Sequence, residues 1–152
     1  PHCRVNAGSA NVAQALGVPA KRVFSSSTGV IGVPLPKDKA RAAARDAIEA
    51  EAQDGEILVS AISAWEVAML AKAGRLALTM EAEVWLDTIA QVRAIRFVPV
   101  DVGISIQSVQ LPGEFHKDPA DRIIVATARR HSAPLISADM KIRGYPHVQT
   151  IW

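Results

Sequence analysis

Cysteine is almost missing from this sequence. Cys3 is the single one among 152 residues, which excludes an internal disulfide framework and a metal site built from cysteines. Long apolar runs are missing too: none approaches the ~20 residues that a bilayer-spanning helix needs. The N-terminal stretch has no basic region, apolar core or small-residue cleavage site of a signal peptide, so a reduced, cytoplasmic setting is the expectation. There is no dense basic run. A net charge of +2 permits contact with nucleic acid without arguing for it. The last shortage is local. Residues 1–37 hold Arg4, Lys21, Arg22 and Lys37 and no acid at all; the first of the fifteen acids is Asp38. This is a break in composition. Hydrophobic residues make up 49% of the chain, enough to fold as one domain with a real core.

The pattern along the chain alternates strands and helices. RVFSS reads as a strand, and the prolines of GVPLP exclude a helix after it. From Lys37 to Asp54 the spacing is helical, with Ala40, Ala43, Ala44, Ala47 and Ile48 on one face and Gly55 as the stop. EILVS (56–60) has strand length, and ISAWEVAMLAKAG reads as a helix capped by Ser60 or Ser63 and closed by Gly74. A second amphipathic helix is expected over 80–93, a strand over 95–100, and a helix in DVGISIQSVQ with Asp101 as its cap. After the polar loop LPGEFHKDP come a helix (ADRIIVATARRH), a strand (APLISA) and a last strand (VQTIW). Such alternation implies an α/β domain with a mainly parallel sheet. Trp65, Met69 and Leu70 fall at helical spacing and are expected in the core, as is Trp85.

Parallel α/β sheets carry their sites at the carboxyl ends of the strands. Three acids fall there: Glu66, about two turns into the helix after EILVS; Asp121, in the first turn after the HKDP loop; and Asp139, directly after APLISA. Converging carboxylates repel unless a cation lies between them, and a hard cation such as Mg²⁺ or Mn²⁺ takes oxygen ligands of this kind. The same acids equally suit helix caps and surface charge. Asp118 precedes Pro119 and reads as a cap that supports the site, and Arg122 reaches either a phosphate or a neighbouring acid. His116 is the histidine nearest this group. Lys72, Arg75, Lys117, Arg129 and Arg130 form either an RNA-facing rim or solvated surface.

The motifs S-x-x-S-x-W-E, K-x-G-R-L, D-P-x-D-R-x-I-x-A-T-A and L-I-S-x-D occur in that order within SAISAWEVAMLAKAGRLAL and HKDPADRIIVATARRHSAPLISADMKI. In order and separation they resemble the VapC-type toxins of the PIN-domain family over about residues 40–152. The resemblance implies a PIN-like fold and a Mg²⁺-dependent (or Mn²⁺-dependent) endoribonuclease of a type II toxin–antitoxin system. It also implies RNA as substrate and a cognate antitoxin as partner; a homodimer stays open. Carried over by position, Glu66, Asp121 and Asp139 are the catalytic, metal-ligating acids. The family opens with a strand ending in an aspartate, usually within L-D-T-H. Here F-S-S-S-T-G-V-I stands in its place, which puts Ser27 where the acid belongs. A neutral hydroxyl is a weak ligand, so activity is expected to be impaired.

The first 39 residues form an atypical segment with a resemblance of its own. VNAGSAN and ALGVPAKRVFSSSTGVIGVPLPKDK are similar to the ArgJ family of ornithine acetyltransferase/glutamate N-acetyltransferases. That resemblance implies an oxyanion-stabilising turn at Thr28 and Gly29, but the family's A-T-M-L nucleophile motif is absent. Three readings follow: an impaired ribonuclease, a non-catalytic PIN-like module that binds an antitoxin, and an acetyltransferase fragment. The first is preferred, with residues 1–39 read as the source of the first strand of a domain spanning 40–152.

Overall fold

The computed structural model describes residues 40–152, with helices packed around short parallel strands. Ser27, Thr28, Gly29 and the RVFSS strand expected before them lie outside the described residues. The chain enters through α1 (Ala40–Asp54), which packs on β1 (Ile57–Ser60) and on the last strand of the chain. Ala44 is the buried residue of its apolar face. Then come α2 (Ala61–Lys72) and α3 (Ala82–Ala90), followed by β2 (Ile95–Val98) and α4 (Val102–Val109). The remainder is α5 (Pro119–Arg130), β3 (Leu135–Ile136), α6 (Met140–Arg143) and β4 (Thr150–Ile151).

Local chemistry sets the boundaries. Asp101 caps α4 by accepting from Ile104 N at 2.7 Å, as its position before an apolar run predicts. Gly74 follows α2 with φ +66°, a left-handed conformation that glycine adopts without steric cost. The helix expected over 80–93 is shorter, Ala82–Ala90, because Glu81 is extended and the turn Val92 N to Ile89 O (3.1 Å) closes the far end. The strand expected over 95–100 stops at Val98, since Pro99 has no N–H to give to a ladder.

The strands are parallel, as the alternating pattern requires, but the described residues form two sheets of two strands each. β1 pairs with β2 from Ile57↔Ile95 to Ser60↔Val98, and β3 pairs with β4 through Leu135↔Thr150 and Ile136↔Ile151. A cavity of about 560 Å³ is lined from both sheets, by Ile57, Val59 and Phe97 on one side and Leu135, Ile136 and Ile151 on the other.

Two apolar clusters hold the helices. Val98, Ile104, Leu111, Val125, Ala126, Ile142 and Tyr145 form one, and α4 lies against α5 there, with the Arg130 guanidinium over Gly103. Val67, Trp85, Ile89 and Ile95 form the other. Trp85 is a core residue, as expected. Trp65 and Met69 are not: they are 56% and 44% exposed. They stand four residues apart on the outer side of α2, while Glu66 and Val67 take its inner side. Helical spacing groups residues on a face but does not say which face turns inward.

Candidate active site

Three elements bring a small group of ionisable side chains together. Glu66 sits in the second turn of α2 and is buried. Asp121 is the third residue of α5, 3% exposed, and α5 packs directly on α2. A buried hydroxyl pair, Thr127 Oγ1 to Ser60 Oγ at 3.4 Å, joins α5 to the carboxyl end of β1. Hydroxyls at strand ends (the last residue of EILVS, the serine of APLISA) are the sequence signal for this lining. They are easily passed over because serine is common.

The electrostatics single out Glu66. Burial, together with the negative charges of Asp121 and Asp118, pushes its carboxyl up to about 7. Its Oε2 is a buried oxygen with no hydrogen-bond partner. A buried acceptor beside two other acids costs free energy unless a proton or a cation meets it. Asp118 is the N-cap of α5, its Oδ1 accepting from Ala120 N at 2.9 Å and Asp121 N at 3.2 Å, so its position ahead of Pro119 was informative.

Asp139 is also a cap. Its Oδ1 accepts from Lys141 N at 2.7 Å and Ile142 N at 3.2 Å, and its own N–H goes to Ser137 Oγ at 3.1 Å. It is buried, at the carboxyl end of β3. Among the described residues, no group of three or more His, Cys, Asp or Glu side chains could hold a metal ion. The described residues bring Glu66, Asp121 and Asp118 into one electrostatic neighbourhood, and Asp139 stands at the carboxyl end of β3 as the cap of α6.

His116 belongs to the site, with Nε2 3.2 Å from Asp121 Oδ2 and a side chain 18% exposed. Arg122 is half-buried, and its guanidinium is turned toward backbone carbonyls at the end of α4 and in the loop that follows. Of the expected rim, Arg130 pairs with Asp101 at 3.6 Å and Arg129 donates to the His147 carbonyl, while Lys72, Arg75 and Lys117 are exposed.

Glu66 and Asp121 thus stand on two packed helices, one that follows β1 and one that follows a D-P loop. The chain belongs to the PIN-domain family: residues 28–148 match the PIN domain. The match begins one residue after Ser27 and runs through the 39/40 boundary. Among individual proteins, it is similar to Ribonuclease VapC22 of Mycobacterium tuberculosis (strain ATCC 25618 / H37Rv). The two are 37% identical over 99 residues, covering 64% of this chain and 75% of that protein. No solved structure matches it.

Proposed function

We propose that this chain is a Mg²⁺- or Mn²⁺-dependent endoribonuclease of a type II toxin–antitoxin system, acting in the cytoplasm and impaired by Ser27 at the first acidic position. The observation that carries the reading is the buried Glu66 carboxylate, with one oxygen unpartnered and Asp121 beside it. The likeness to a ribonuclease supports RNA as the substrate. The donor set suits a hard cation: Mg²⁺ is held by one or two carboxylates plus substrate phosphates rather than by a full protein cage. Glu66 and Asp121 would hold it, with Asp139 as the third acid. When bound, the ion supplies a water nucleophile and neutralises charge on a phosphodiester. Asp118 fixes the first turn of α5, and His116 Nε2 stands 3.2 Å from Asp121 Oδ2. An exposed apolar pair, Trp65 and Met69, supports a protein partner such as a cognate antitoxin.

Residues 1–39 belong to this proposal as the segment that supplies the first strand. The support is the apolar cavity lined from both two-stranded sheets.

The test is cleavage of a mixed RNA substrate in Mg²⁺ and in Mn²⁺ by the native chain, Glu66→Gln, Asp121→Asn and Ser27→Asp. The native chain should cleave weakly and both acid variants should lose what it has. Ser27→Asp should gain at least about 10-fold, the scale expected when a charged ligand is restored. Equal cleavage by the native chain and Glu66→Gln overturns the reading. The second reading, a non-catalytic antitoxin-binding module, is favoured by the lack of a three-donor group among the described residues. It predicts that Ser27→Asp stays inactive while an antitoxin co-purifies.

A further inference from the structure

Arg122 follows Asp121 in the first turn of α5, where the sequence offers it a phosphate or an acid as partner. Its guanidinium takes neither. Nε donates to the Ser108 carbonyl at 2.8 Å and Nη2 to the Val109 carbonyl at 3.3 Å. Nη1 donates to the Phe115 and His116 carbonyls, each at 3.2 Å. Ser108 and Val109 end α4, where carbonyls have no partner within the helix. Phe115 and His116 lie at the other end of the loop that leads into α5. One planar fork thus ties both ends of the segment 108–116.

Two further contacts hold the loop from outside: Tyr145 donates its hydroxyl to the Pro112 carbonyl at 2.6 Å, and the Phe115 and Tyr145 rings lie 4.6 Å apart. Among the described residues, the bond from Arg122 Nη1 is the one that acts on the His116 carbonyl. The His116 ring stands 4.3 Å from that of Phe115, and its Nε2 is 3.2 Å from Asp121 Oδ2.

We propose that Arg122 is a positioning residue: by clamping the Phe115–His116 carbonyls to the end of α4, it sets the imidazole against the Asp121 carboxylate and fixes the direction in which that carboxylate meets a cation. This rests on the metal-dependent nuclease reading above. It also removes Arg122 from the groups that contact RNA phosphate. Groups that orient a metal-ligating carboxylate matter to affinity nearly as much as the ligands do. Lysine cannot replace the clamp, because its single ammonium lacks a planar fork of donors.

The experiment uses the full chain and two readouts. The first is ¹H–¹³C NMR of the histidine rings in native protein, Arg122→Lys and Arg122→Ala. Both variants should move the His116 ring resonances toward those of an unstacked imidazole. His147, whose ring lies 5.2 Å from Tyr145, should keep its resonances and so report an intact fold. The second readout is Mn²⁺ affinity from water-proton relaxation. Arg122→Ala and His116→Ala should each weaken it about 10-fold, and the double variant should be no weaker than either single. Native His116 resonances in Arg122→Ala overturn the proposal. So does native behaviour of Arg122→Lys in both readouts, or a double variant whose loss is the product of the two single losses. Failure of the native chain to bind Mn²⁺ overturns the nuclease reading and the cation half of this one, while the ring resonances decide the clamp alone.

Discussion

Glu66 is where one side chain governs the behaviour of the whole site. Its carboxyl is pushed up to about 7, first by burial and then by Asp121 and Asp118, whereas an unfolded glutamate titrates near 4.5. Between those values the folded chain keeps a proton that the unfolded chain has released. Folding stability therefore falls as pH rises from about 4.5 to about 7, and levels off above. The drop is of the order of 3 kcal/mol, because each tenfold change in proton affinity is worth about 1.4 kcal/mol. Urea denaturation at pH 5 and pH 8 should show it. Glu66→Gln should flatten the profile and be the more stable protein at pH 8; a profile as steep as the native one in that variant refutes the assignment. Asp118 gives a contrasting prediction. Removing its two backbone hydrogen bonds with Asp118→Ala should cost about 1 kcal/mol at neutral pH, the usual value of an N-cap, read from the shift of the urea midpoint. Asp118 was visible in the sequence because an acid just before a proline has few places to go; Glu66 was visible as an acid on the helix that follows a strand. The direction taken by Arg122 was not visible, because its partners are carbonyls of a helix end and a loop up to fourteen residues away that no side-chain pattern announces.

The elements were legible wherever their caps and periods agreed. Asp101 before an apolar run, Pro119 at the start of α5 and Gly74 after α2 mark boundaries chemically, and the helices stand where these marks place them. Orientation was less legible. Two tryptophans, each in a helix with apolar spacing, have opposite environments: Trp85 is 5% exposed and Trp65 is 56% exposed. What separates them is the neighbour each helix finds. α3 turns Trp85 onto Val67, Ile89 and Ile95, whereas α2 turns Glu66 inward and so sends Trp65 out. The stability consequence is direct. Trp85→Ala should cost about 3–5 kcal/mol, the cavity cost of a buried large aromatic. Trp65→Ala should stay within about 0.5 kcal/mol, the usual range at an exposed position. Parallel urea titrations of the two variants check the pair, and equal losses would show that α2 carries its tryptophan inward after all.

At the scale of the molecule, the described residues leave a problem that short-range chemistry does not solve. A two-stranded sheet is marginal by itself, and an unpaired strand edge is a liability. Here there are two such sheets, with an apolar cavity of about 560 Å³ lined from both. Strand existence could be read from EILVS and APLISA; the partition into two pairs could not, because pairing is set by elements far apart in the chain. The proposal that residues 1–39 supply the first strand meets this problem with a definite segment. In RVFSSST the apolar pair Val23 and Phe24 comes first and the hydroxyls follow. The cavity has both kinds of lining, aliphatic walls and the hydroxyls of Ser60, Ser63, Thr127 and Ser137, with Ser60 at the carboxyl end of β1. A strand buried on both faces needs apolar side chains on both, so Val23→Asp and Phe24→Asp should each be severe. In the full chain, each should lower stability by at least about 3 kcal/mol, since an unpaired charge would enter an apolar slot. Hydrogen exchange adds a spatial readout: both variants should lose protection at β1 and β3 together, while α4 and α5 keep theirs. If neither substitution moves the urea midpoint and β1 and β3 exchange as in the native chain, residues 23–24 do not enter the cavity and the first strand must come from elsewhere.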